Sequence, residues 1–213
     1  HMSGAYTPVN GKKLAGRLAL PEGLTTMRLR ERGSLLGQLD RLHRDLDNNP
    51  AVAQLDRYTH QALDTVLSGR AKRAFDLEKE TIKMRDFYGR DSIGQKALIA
   101  RRLVEAGSTF VLVSGAWGYF DHHGDEVRWG GIVKGLKPLL PRVDRVLHAL
   151  VTDLEQRGLL DDTLVLMMGE FGRSPVMPKT AGRGHWARVM SMVMAGGGLN
   201  HGGVIGSTDR KGY

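Results

Sequence analysis

Cysteine is absent from all 213 residues of the chain, which excludes disulfide staples and thiolate metal sites. Any metal held here must therefore take its donors from carboxylate, imidazole or backbone oxygen. Aromatic residues make up only 6% of the sequence and are not interleaved with the basic ones, which removes the stacking platform used on nucleic acids. No segment reaches the roughly 18 consecutive apolar residues that would mark a membrane span. Walker and dinucleotide glycine patterns are also missing, so Gly196-Gly197-Gly198 reads as a turn and not as a phosphate cradle. His1-Met2 reads as a cloning remnant with no apolar signal segment behind it, which leaves localisation open.

What the chain does have is 41% hydrophobic residues, enough for one sizeable core, and a formal charge of +8 from 31 Lys and Arg against 23 Asp and Glu. Such a balance attracts polyanions at long range. The basic residues are nevertheless scattered over predicted helix faces, at Arg28, Arg30, Arg41, Lys72, Arg73, Arg101 and Arg102, and this dispersion argues against nucleic acid. The oligomeric state is not readable from these features. Two regions of different character are expected: a helical one over 1–92, packed on the same domain, and an α/β sheet region over 93–213.

In the first region Leu29, Leu35, Leu36, Leu39, Leu42 and Leu46 recur at helical spacing up to the turn-forming Asp47-Asn48-Asn49. Asn49-Pro50 then reads as N-cap and first turn of a second helix carrying Val52, Leu55, Leu63, Val66 and Leu67. His43 and His60 fall on these helices without neighbouring ligands and read as structural.

From residue 93 the pattern changes. Ile93, Ala97, Leu98, Leu103 and Val104 predict a helix stopped at Gly107, followed by a short buried-type strand over Thr109–Val113. The stripe Leu136, Leu139, Leu140, Val143, Val146, Leu147, Leu150, Val151 and Leu154 predicts a long helix, with Pro138 and Pro141 near its start and Gly158 at its end. A second strand follows over Thr163–Met168, and a third over Val189–Met194. Strand, helix and strand make a βαβ unit with parallel strands, so the expected fold is α/β, with a mainly parallel sheet and flanking helices. His148, on the crossover helix, reads as structural, and the methionines near the strands read as core filler.

Parallel strands deliver their following loops to one edge, where open α/β sheets bind ligands. One loop carries Asp121-His122-His123-Gly124-Asp125 and the next carries Gly169-Glu170-Phe171-Gly172-Arg173. Asp121, His123, Asp125 and Glu170 are thus candidate metal ligands. His185 joins them if the loop from Gly172 to Arg188 folds back over the edge, and is excluded if it does not. Mixed imidazole and carboxylate donors favour zinc or manganese, while calcium and magnesium prefer oxygen alone. Arg173 offers a planar donor fork to a phosphate or sulfate group.

These motifs, with Tyr88-Gly89-Arg90, Ala100 to Gly107, Gly182-Arg183-Gly184-His185-Trp186 and Gly202 to Asp209, carry a family resemblance. From about Leu35 onward the chain resembles the sulfatase-like bacterial family of unknown function numbered fifteen-oh-one, related to the alkaline phosphatase superfamily. The resemblance implies a two-metal α/β hydrolase acting on phosphate or sulfate esters, small or polysaccharide, and usually exported. Asp121, with His123 or Asp125, and His185 would serve one metal, and Glu170 the other. Phe171 stands where the superfamily often has a ligand histidine, and Gly184 where relatives carry aspartate. No counterpart of the family's Gly-rich segment bearing a first ligand and nucleophile precedes Leu35, so the chain reads as a truncated form matching the middle and later part of the family. The expected function is metal-dependent ester hydrolysis, incomplete in this chain, with a non-catalytic anion- or partner-binding module as the alternative.

Overall fold

The computed structural model describes residues 20–44, 59, 64, 69–115, 120–123, 131–179, 182–200 and 202–212. Along the described residues the helices come first and four short strands follow, paired antiparallel two by two, and these residues fall into two compact units. One unit draws on Asn10–Glu80 and Arg102–Val111, the other on Thr81–Arg101 and Leu112–Tyr213.

In the first of these, α1 (Thr26–Arg44) starts where the Thr25 hydroxyl accepts the Arg28 N–H at 3.2 Å, satisfying one of the free donors of the first turn. The leucine spacing does form a helix, yet Leu35 and Leu36 are exposed on it. A short helix, α2 (Arg70–Ala74), leads into a 3₁₀ turn at Leu77–Lys79, and Ala71, Ala74 and Leu77 are buried. Arg102 closes the end of α2 by donating to the Ala74 carbonyl at 2.8 Å and the Arg73 carbonyl at 2.6 Å, while also pairing with Glu80. The Arg73 carbonyl also accepts from Asp76 N–H at 3.2 Å, so the guanidinium adds a second donor there. The second helix predicted from Pro50, with Val52, Leu55, Leu63, Val66, Leu67 and His60, lies outside the described residues, as does the side chain of His43.

The other unit is organised by α3 (Ile82–Tyr88), the part of α4 (Ser92–Glu105) up to Arg101, and α5 (Leu140–Gln156). Thr81 caps α3 by accepting the Met84 N–H at 3.1 Å. Helices α4 and α5 end as the glycines require: Gly107 and Gly158 both have positive φ, and the bonds Ser108 N–H to Leu103 O and Leu159 N–H to Leu154 O close the last turns. Pro141 sits in the first turn of α5, where its missing N–H costs no intrahelical bond. Leu136, expected on this helix, instead closes a π-helical turn over Gly131–Leu136. Along α5 burial is greatest at Ala149, Asp153 and Leu154, and Leu147 is half-buried. His148 is exposed and packs edge-on against Phe87 at 5.7 Å between ring centroids, a structural contact.

A buried polar cluster joins the three helices. The Tyr88 hydroxyl donates to Asp153 Oδ2 at 3.0 Å, Arg101 Nε reaches the same oxygen at 2.8 Å, and Arg157 Nε reaches Oδ1 at 2.7 Å. Burial first, and the adjacent Asp153 charge second, push the Tyr88 phenol up from its ordinary value.

Strand β1 (Val165–Met168) pairs antiparallel with β4 (Met192–Ala195), matching Val165 to Ala195 and Met168 to Met192. Strand β2 (Gly172–Arg173) pairs antiparallel with β3 (His185–Trp186). The expected pairing of Thr109–Val113 with β1 is not formed among the described residues. That segment is not in a strand, and Phe110 and Leu112 are exposed. A strand exists only through its ladder partner, and the described partner of β1 arrives by chain reversal, which gives the antiparallel sense. No helix among the described residues is long and apolar enough to cross a membrane.

Candidate metal centre

After β1 the chain passes Gly169 and the exposed Glu170, turns at Phe171 and enters β2. Gly172 lets this strand approach closely: a Cβ there would lie 1.5 Å from the Val189 carbonyl oxygen. With β2 so near, Arg173 lies opposite His185 in register, and Ser174 N–H donates to Gly184 O at 2.9 Å. The loop from Gly172 to Arg188 therefore folds back on itself as a two-stranded clasp, which sets His185 beside Arg173. Arg183 fastens the remaining piece. Its N–H donates to the His122 carbonyl at 2.8 Å and its Nη1 to the Ser174 carbonyl at 3.1 Å, so the Asp121–His123 segment is held against the clasp.

Alternation along extended backbone sends Asp121 and His123 to one side and His122 to the other. Asp121 Oδ1 lies 2.8 Å from His123 Nε2 and 3.9 Å from His185 Nε2. His122 is buried, with neither ring nitrogen hydrogen-bonded among the described residues. The ring centroids of His123 and His185 are 4.5 Å apart, and the Phe171 ring also packs on His185 at 4.3 Å. Arg173 completes the group, with Nη2 donating to Asp121 Oδ1 at 2.5 Å and Nη1 lying 3.2 Å from His123 Nε2. Its guanidinium also stands 5.5 Å from the Phe171 ring centroid. Burial alone would raise the Asp121 carboxyl; the Arg173 hydrogen bond and charge, then His123 and His185, outweigh it and hold the carboxyl below its ordinary value.

One donor atom from each of Asp121, His123 and His185 falls within a 4.8 Å span. Tetrahedral ligation with bonds of about 2.0–2.1 Å needs donors about 3.3 Å apart, so this set fits a zinc-sized ion after small side-chain adjustments. Two imidazoles and one carboxylate are also the mixed chemistry that favours zinc or manganese over calcium or magnesium.

Of the residues predicted from the sequence, Asp121, His123, His185 and Arg173 are gathered. Glu170 is exposed and is not among the three grouped donors, and the Phe171 ring beside it meets His185. Asp125 lies outside the described residues. Sequence reasoning gave no role to Arg183 as a backbone clamp or to Phe171 as a wall beside His185. A hairpin reading of Gly172-Arg173 with His185-Trp186, whose Gly-rich connection favours reversal, would have pointed to both.

Fold and site together define a mixed helix-and-strand protein in which the described residues form a His/Asp donor cluster with an arginine lying on it. Residues 2–213 match the family described as Protein of unknown function (DUF1501), and the chain belongs to that family. Comparisons with curated proteins and with solved structures gave no match.

Proposed function

We propose that the chain binds a divalent transition metal at Asp121, His123 and His185 and serves the hydrolysis of phosphate or sulfate esters. The observation that carries this reading is the convergence of those three donors with Arg173 on a clasp that the backbone holds shut. Zinc or manganese, when bound, supplies Lewis acidity toward an ester oxygen. The protein's own groups do the rest. Arg173 offers two parallel N–H donors to the anionic group, and Phe171 forms an apolar side to the site. The resemblance to sulfatases and alkaline phosphatases gives the ester class, from small molecules to polysaccharides. On the same reading the fold is an α/β one with a mainly parallel sheet.

A second reading is favoured by one observation: Glu170 stands outside the cluster, so the described residues gather ligands for one metal and not two. The chain would then be an anion- or partner-binding module without turnover. Chelator-stripped protein reloaded with zinc or manganese and assayed on aryl phosphate and aryl sulfate separates the two. Turnover lost in Asp121→Asn supports the hydrolase. Metal-dependent sulfate or phosphate binding with turnover at background supports the module.

A further inference from the structure

Arg173 lies on the donor atoms themselves. Its two terminal nitrogens engage Asp121 Oδ1 at 2.5 Å and His123 Nε2 at 3.2 Å, on two of the three candidate metal-binding residues. The two atoms stand 2.8 Å apart, and the guanidinium is placed as the cation that both of them share.

A metal ion would satisfy the same two atoms with shorter, stronger bonds, and it needs the lone pairs that Arg173 occupies. The guanidinium has somewhere to go. It already stands 5.5 Å from the Phe171 ring, whose face can hold a displaced arginine beside the site, and its remaining partner among the described residues is the Arg183 carbonyl at a long 3.4 Å. With side chains about a third exposed at both Arg173 and Asp121, the pair is worth little enough to be exchanged for a metal bond.

We propose that Arg173 is the resident counter-cation of the Asp121–His123 donor pair, displaced when metal binds and thereby released to grip the tetrahedral oxyanion of a phosphate or sulfate ester. The inference rests on the metal-site reading above and gives that site an order of events: metal first, then anion. Anion and Asp121 compete for one guanidinium in the metal-free chain, so metal and anion binding are positively coupled through Arg173. Reciprocity requires the anion to tighten the metal by the same factor.

The test is metal and sulfate titration of the full chain after chelator treatment, by calorimetry for zinc and by thermal shift for sulfate, on wild type, Arg173→Gln and Asp121→Asn. Arg173→Gln should bind zinc roughly two- to fivefold more tightly than wild type, since the competitor is gone. In wild type, zinc should raise sulfate affinity, and in Arg173→Gln most of that gain should be lost. Equal zinc affinity in wild type and Arg173→Gln, with the binding abolished by Asp121→Asn, would overturn the displacement while leaving the metal site standing. Absence of zinc binding in all three would overturn both. If Arg173→Gln does not fold, the wild-type chain decides: sulfate affinity that is the same with and without zinc refutes the coupling.

Discussion

The Tyr88 hydroxyl donates to Asp153 at 3.0 Å although the two residues stand 65 positions apart, and so ties the end of α3 to the last turns of α5. Asp153 also receives Arg101, and all three side chains are essentially inaccessible to water. Removing the carboxylate charge leaves a buried guanidinium uncompensated, so Asp153→Asn should cost about 3–5 kcal/mol in urea denaturation. Arg157→Ala, which removes a partner that is a third exposed, should cost much less. Similar losses in the two variants would show that the cluster is not the anchor of this unit.

The same hydrogen bond sets an alkaline limit. Tyr88 keeps its proton in the folded state because burial and the Asp153 charge both oppose ionisation, so its folded value lies above its unfolded one. The contribution is fully present below the unfolded value of about 10 and is lost as pH rises beyond it. Tyr88→Phe should therefore be less stable than wild type by about 1–3 kcal/mol at neutral pH and should lose less on going to higher pH. Parallel stability curves above pH 10 would exclude Tyr88 as the group responsible.

How much of this was legible follows from the range of each interaction. The ends of α4 and α5 were readable because glycine capping is local, and Gly107 and Gly158 act where they stand. Asp121, His123, His185 and Arg173 were readable as residue types, since metal and anion chemistry leaves few choices. The sheet was harder. Apolar runs such as Thr109–Val113 and Val165–Met168 look alike in sequence, and whether either becomes a strand depends on a partner far along the chain. The leucine spacing of α1 likewise announced a helix without saying what would cover Leu35 and Leu36. Glu170 was assigned from an expected parallel edge, and among the described residues it lies outside the group formed by Asp121, His123 and His185.

Adjacent histidines should behave oppositely. His122 is buried with both nitrogens unpaired among the described residues, so His122→Phe, which keeps a flat ring, should be neutral or stabilising by up to about 1 kcal/mol. It should leave zinc affinity unchanged. His123→Ala, at an exposed site, should leave stability nearly unchanged and abolish tight zinc binding. Zinc affinity of the wild type should weaken on acidification, because protons compete for the imidazole nitrogens. Loss of zinc binding in His122→Phe with full retention in His123→Ala would reverse the assignment of the two.

The clasp itself can be tested without touching a donor. A methyl group at Gly172 would overlap the Val189 carbonyl, a backbone atom that cannot rotate aside, so β2 must move away from β3. That shift separates Arg173 from His185, which face each other in register, and loosens the Ser174 and Arg183 bonds that hold Asp121–His123 in place. Gly172→Ala should therefore weaken zinc binding roughly 10- to 100-fold, the usual range when the groups supporting metal ligands are disturbed. Gly184→Ala is the matched control, since a Cβ there meets no atom within 4 Å, and its zinc affinity should equal that of the wild type. If Gly172→Ala keeps full affinity, the donors must be positioned by something other than the β2–β3 pair.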